Sequence, residues 1–240
     1  MKKIICLFTV ALIFTKCVTG QVQQSGWLAS FNTFRLDNRF SIHFDAQWRG
    51  TDNIKNMQTA LLRTGLNYKP GKNSTFTAGY AFISNRRVIS GISGYAPEHR
   101  LWEQLIVHQK IKNLSVSHRF RLEQRFISKS QAVNNELVHE GSVYASRIRY
   151  FIRTIIPLAK EKEFSKGLFG AVQNEVFLNF GNRSVVNGKY FDQNRLYLAL
   201  GYKLSARLSF DAGYMNHYVN GRNNSFTNTH IIQLAAYTQL

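Results

Sequence analysis

From residue 25 onward the chain alternates apolar and polar residues with a period of two, in runs broken by Gly, Asn, Asp, Lys and Pro. A period of two puts successive side chains on opposite faces of an extended strand. The pattern predicts strands at Ser25–Phe34, Arg39–Arg49, Met57–Tyr68, Ser74–Ser84, Glu98–Lys110 and Leu114–Ile127. It continues with Val143–Ile156, Leu168–Phe180, Tyr190–Lys203, Arg207–Val219 and Thr229–Leu240. Most of these reach the ~9–11 residues a tilted strand needs to cross a bilayer, whereas strands of soluble sheets typically run ~5–6.

The two faces differ in kind. His43, Asp45, Gln47 and Arg49 oppose Ile42, Phe44, Ala46 and Trp48. Arg119, Arg121, Glu123 and Arg125 oppose Phe120, Leu122, Gln124 and Phe126. Arg147, Arg149 and Arg153 oppose Ile148, Tyr150, Ile152 and Ile156, and Gln193 and Arg195 oppose Leu196, Leu198 and Leu200. An apolar outside and a charged inside is the pattern of a transmembrane barrel, and a soluble barrel inverts it. The expected fold is therefore an all-β, antiparallel transmembrane barrel of ten to twelve strands with a polar, Arg-rich interior. Eleven segments sit awkwardly with the even strand number usual for single-chain bacterial barrels. Glu103 also breaks the pattern, falling on the apolar face with Leu101, Leu105 and Val107. Either it lies near a headgroup or a bulge turns it.

Connections alternate in length. Leu36–Asn38, Lys69–Asn73, Lys112–Asn113 and Leu204–Ala206 are short and expected to be periplasmic. Gly50–Asn56, Asn85–Pro97, Ser128–Ser142, Gly181–Lys189 and Asn220–Asn228 are expected as longer outward loops; Pro157–Gly167 is long where a short turn belongs. Trp27, Trp48, Tyr68, Tyr80, Trp102, Tyr202, Tyr214 and Tyr237 are expected in interfacial girdles. The final segment reaches Leu240 and is expected to close on the first.

The first twenty residues have the layout of a secretory signal: Lys2 and Lys3, an apolar Ile4–Phe14, then small residues with Val18 and Gly20 at −3 and −1. The domains are thus expected as a cleaved leader over 1–20 and one barrel over 21–240. An acylated Cys17 is the alternative, opposed by Lys16. The only two cysteines, Cys6 and Cys17, fall in the leader, so the mature chain is expected to carry neither a disulfide nor a cysteine nucleophile.

The formal charge of +18 falls to +15 once Lys2, Lys3 and Lys16 are removed. Export argues against nucleic acid as the partner of so basic a chain. The charge gathers instead on the polar strand faces. Asp45, Arg49, Arg63, Glu98, Arg100, Arg119, Arg121, Glu123, Arg125, Arg147, Arg149, Arg153, Glu175, Arg195 and Asp211 are expected to form a lumen charge network. Buried charges persist only when paired, and the planar guanidinium can bridge two carboxylates. Two readings follow: a rigid plug of ion pairs, or an anion-binding or anion-conducting lumen, because arginines outnumber carboxylates.

No Gly-x-Ser-x-Gly elbow, helical His-x-x-x-His or acidic calcium loop is present. Ser84, Ser90 and His99 are a thin basis for a triad, and alternation puts His217 and His230 on opposite faces. No catalytic residue, metal or cofactor is expected.

The runs Glu98-His99-Arg100-Leu101-Trp102-Glu103-Gln104-Leu105 and Arg119-Phe120-Arg121-Leu122-Glu123-Gln124-Arg125-Phe126 resemble those of a family of exported Gram-negative proteins classed as a domain of unknown function. So do Arg147-Ile148-Arg149-Tyr150, Asn174-Glu175-Val176-Phe177-Leu178-Asn179 and Phe191-Asp192-Gln193-Asn194-Arg195-Leu196. The resemblance spans nearly the whole expected mature chain. It implies an outer-membrane barrel, and no activity or site residues. The expected setting is the outer membrane, with lipid, lipopolysaccharide and the barrel-assembly machinery as partners. The expected role is structural or that of a narrow, porin-like channel. A lipid-modifying hydrolase or acyltransferase and a soluble periplasmic lipid-binding barrel are the alternatives.

Overall fold

The computed structural model describes residues 20–158 and 164–240. Apart from Gly20, the expected leader, with both cysteines, lies outside the described residues, as does part of the anomalous connection after Pro157.

Eleven strands form one closed barrel among the described residues: β1 (Gly20–Arg35), β2 (Phe40–Gly50), β3 (Met57–Tyr68), β4 (Ser74–Ile89), β5 (Ile92–Ile111), β6 (Leu114–Val133), β7 (Glu136–Pro157), β8 (Gly167–Phe180), β9 (Phe191–Lys203), β10 (Leu208–Asn220) and β11 (Phe226–Gln239). Consecutive strands pair antiparallel, so an odd number leaves the first and last pointing the same way. β1 therefore closes on β11 in parallel, with Trp27 opposite Gln233 and Leu28 opposite Leu234. The expected wholly antiparallel sheet is corrected at this one seam, and no twelfth strand is present among the described residues.

Two of the expected long loops are strand instead. β4 and β5 continue through residues 85–97 to a turn at Ser90 and Gly91, and β6 and β7 continue through 128–142 to a turn at Asn134 and Asn135. Both turn residues have positive φ in each case: 50° and 81°, then 48° and 64°. That is the backbone of the tight turns whose twist matches a hairpin. β5, β6 and β7 consequently run to 20, 20 and 22 residues. At ~3.3 Å per residue they are roughly 66–73 Å long, which at a tilt of ~45° still covers about 47–51 Å, well beyond a ~30 Å hydrocarbon core.

The inside is filled. Two apolar clusters face inward, one of Trp27, Tyr197, Met215 and Ile231, the other of Leu61, Ala81, Ile83 and Trp102. Gly65 and Gly79, opposite one another in β3 and β4, make room for the Trp102 indole. The outside is largely apolar: Leu62, Leu101, Phe120, Leu198 and Leu234 are each about half exposed. Glu103 faces this surface too. It pairs with Ala78 and Leu122 without a register shift, and its carboxylate accepts a 3.2 Å hydrogen bond from Gln124 Nε2. The bulge that alternation allowed there is absent.

Candidate functional site: the charged lumen

Alternation on β2 to β10 aims the charged residues into a closed space, where each carboxylate gathers several donors. Glu123 is the hub. Its Oε2 accepts from Arg147 Nη2 at 2.7 Å, its Oε1 accepts from Arg149 Nη1 at 2.6 Å, and Arg100 Nη1 stands 3.6 Å from Oε2. Glu175 Oε1 accepts from Arg149 Nη2 and Arg119 Nη2, both at 2.7 Å. Glu98 Oε1 takes the Nε donors of Arg100 and Arg125, both at 2.6 Å. Asp211 reaches across three strands: Arg153 Nη2 and Tyr197 Oη each donate to it at 2.6 Å. Asp45 stands 3.4 Å from Arg63 Nε, with His43 Nε2 3.0 Å away. Glu123, Glu98 and Asp45 are nearly inaccessible to solvent. At such depth, removing one member of a pair leaves a buried charge without its counterion, which costs about 3–5 kcal/mol.

Sequence reasoning missed one member. Asp192 is buried and accepts from Arg147 Nη1 at 2.9 Å. Simple alternation from Gln193 and Arg195 puts it outside. The β8–β9 register shifts between Phe177 and Leu178, so Phe177 pairs with Gln193 but Leu178 pairs with Phe191. Asp192 is the extra residue, and the bulge turns it inward.

Three of the arginines expected in the lumen network, Arg49, Arg121 and Arg195, have no carboxylate partner among the described residues. Each donates to a glutamine carbonyl instead: Arg49 to Gln47 at 2.7 Å, Arg121 to Gln104 at 2.6 Å and Arg195 to Gln193 at 3.1 Å. Aromatic faces supply the rest of their surroundings. Arg49 and Arg195 lie 4.3 and 5.1 Å from the centre of the Trp27 ring, and Arg121 and Arg63 lie 4.7 and 5.6 Å from Trp102. Arg147, Arg149 and Arg195 lie 4.5–5.0 Å from Phe177. The negative face of an aromatic ring attracts a cation, most strongly where water is excluded. Trp27, Trp102 and Phe177 come from β1, β5 and β8, so three aromatic posts stand at nearly even intervals around the barrel. Trp27 and Trp102, with Tyr237, are turned inward, unlike the girdle expected of them. Trp48, Tyr68, Tyr80, Tyr202 and Tyr214 lie on the outer face.

Two adjoining hollows of about 650 and 560 Å³ open at the end bearing the short turns. Arg35, Arg39, Lys69, Lys110, Lys203 and Arg207 line them. A smaller cavity of about 190 Å³ lies deeper. At the mouth the Asp37 carboxylate accepts from the backbone N–H groups of Arg39 (2.6 Å) and Phe40 (2.7 Å), which hold its pKa below the ordinary aspartate value.

Among the described residues the serines and histidines do not assemble a Ser-His-carboxylate group. His99 bonds Tyr80 on the outer face, and Ser90 sits at a hairpin tip. His217 faces inward against Gln193, whereas His230 meets Tyr214 outside. His108 Nδ1 and Ser117 Oγ are 2.9 Å apart in the vestibule, but no carboxylate is bonded to that imidazole among the described residues. No cluster of three metal-ligating side chains occurs among them either.

No curated protein and no solved structure matches the chain at a significant level. A family match does exist, over residues 24–228, and it takes in all of the lumen network described above. By that match the chain belongs to the family described as "Protein of unknown function (DUF2490)".

Proposed function

We propose that this protein is an outer-membrane barrel whose lumen is plugged by its own ion pairs, and that its role is structural rather than catalytic. The observation that carries the reading is the opposition of the two surfaces. Leucine and aromatic side chains are half exposed all round the wall, while Glu123 and Arg121 are each 2% exposed within it. A soluble protein rarely exposes an apolar patch beyond a few hundred Å², so a wall apolar round its whole circumference calls for lipid. No helix among the described residues is long and apolar enough to cross a membrane, so spanning falls to the strands.

The plug follows from the network. Glu123 ties β5, β6 and β7 together, Glu175 ties β6, β7 and β8, and the Arg153–Asp211 pair spans from β7 to β10. Such chords brace the wall and obstruct a continuous water path. Membrane fractionation followed by electrophoresis of unheated and boiled samples tests the reading. A band in the outer-membrane fraction that migrates faster unheated, together with no steady conductance in planar bilayers, is the expected result. A soluble product with no heat-modifiable band overturns the membrane reading, and a steady open conductance overturns the plug.

A further inference from the structure

The 190 Å³ cavity, which lies deeper than the two hollows, is strongly one-sided in charge. Six arginines line it, Arg49, Arg63, Arg119, Arg149, Arg153 and Arg195, against one carboxylate, Glu175. Glu175 is committed to Arg119 and Arg149, Arg63 faces Asp45, and Arg153 is held by Asp211. Arg49 and Arg195 have glutamine carbonyls and the Trp27 ring, with Phe177 also facing Arg195, and no carboxylate among the described residues. The Nε atoms of Arg49, Arg119 and Arg195 are buried donors with no partner. Arg195 is 8% exposed, so bulk water does not satisfy it. Buried donors of like charge around one cavity favour an acceptor that carries negative charge.

We propose that this cavity is a binding site for a small oxyanion of the phosphate class. Its oxygens accept from the Arg49, Arg119 and Arg195 guanidiniums, and its charge offsets the excess of arginine over carboxylate. Guanidinium forks match the oxygen spacing of such ions. The cavity has room for a free ion and none for a lipid headgroup with its acyl chains. The cavity adjoins the larger hollow at the short-turn end, since Arg119, Phe151, Arg153 and Tyr237 line both. The lysines and arginines of that hollow draw anions toward it. The proposal rests on the plugged-barrel reading for the closed lumen, but binding itself needs only the folded protein.

The test is calorimetric titration of full-length protein, folded in detergent, with inorganic phosphate at low and constant ionic strength. Saturable binding near one ion per chain is expected, weakened at least tenfold in R49Q and R195Q and less than threefold in R207Q at the mouth. Should either glutamine variant lose its heat-modifiable band, R49K and R195K replace them. These keep the charge, remove Nε, and are expected to bind at least fivefold more weakly than the parent. Folded parent protein without saturable phosphate uptake overturns the site, as does uptake insensitive to Arg49 and Arg195. The heat-modifiable band reports the barrel independently, so failure of the site and failure of the membrane reading are told apart.

Discussion

Asp192 on β9 reaches Arg147 on β7 at 2.9 Å because a bulge inserts one extra residue opposite Phe177 and Leu178. Without the bulge the same carboxylate faces outward beside Leu196. Arg147 thereby holds two carboxylates, Glu123 on one side and Asp192 on the other.

D192N keeps the shape and removes the charge. The Arg147 guanidinium retains Glu123, so the expected loss is about 1–3 kcal/mol, that of a charged hydrogen bond. Urea unfolding in detergent, read by the heat-modifiable band, measures it. A double-mutant cycle with R147Q is expected to give a coupling within about 0.5–3 kcal/mol. Additive effects in that cycle are the result that rules the pairing out.

The hairpin tip at Ser90 and Gly91 holds Ser90 at φ 50°, where a side chain other than Asn, Asp or Gly is disfavoured. The equivalent turn between β6 and β7 carries two asparagines. S90N is therefore expected to raise stability by about 0.5–1 kcal/mol, since the native backbone then suits its residue. A matched urea series shows it, and an unchanged or lowered midpoint contradicts the turn assignment.

At the mouth, Asp37 titrates with the β1–β2 turn. Its carboxylate accepts two backbone hydrogen bonds that the unfolded chain lacks, so the folded pKa lies below the unfolded one. The stability it lends is present above the ordinary aspartate pKa and is lost as pH falls through the folded value. In carbon-detected NMR the Asp37 carboxyl should show a midpoint below the ordinary aspartate value of about 3.9. A midpoint at or above it contradicts the capping geometry.

Gly79 tests the fit around Trp102. A Cβ there meets the Thr64 carbonyl oxygen, Gly65 Cα at 2.7 Å and Trp102 Cζ2 at 2.9 Å. Two of the three are backbone atoms of β3, which cannot move without breaking the ladder. G79A is expected to cost about 3 kcal/mol, the upper end for overpacking, and to shift Trp102 emission. A loss under ~0.5 kcal/mol rules out the packing described.

All eleven strands were legible in the sequence, because alternation between lipid-like and charged residues marks a strand and its facing together. What was not legible lies where that alternation lapses. Residues 85–97 carry Gly, Ser, Asn and Arg, and residues 128–142 carry Gly, Ser, Asn, Lys and Glu, without a clean apolar face, so the continuing hairpins resemble loops. Trp27, Trp102 and Tyr237 were misplaced because an aromatic ring suits either a girdle or the face of a guanidinium. Asp192 escaped because one inserted residue inverts the parity on which facing was read.

If the lumen is plugged as proposed, Glu123 links the stability of the plug to its closure. Three arginines converge on it, and each retains another carboxylate: Glu98 for Arg100, Asp192 for Arg147 and Glu175 for Arg149. E123Q therefore strands no guanidinium completely. The expected cost is about 3 kcal/mol, the lower end for a broken buried pair. The same substitution raises the lumen charge by one and releases three long side chains from a common anchor. Brief anion-selective openings should then appear in bilayer recordings where the parent is silent, and they should fade when E98Q is the substitution, since Glu98 sits at one edge of the network on Arg100 and Arg125. A silent E123Q of unchanged urea midpoint removes Glu123 from the centre of the plug.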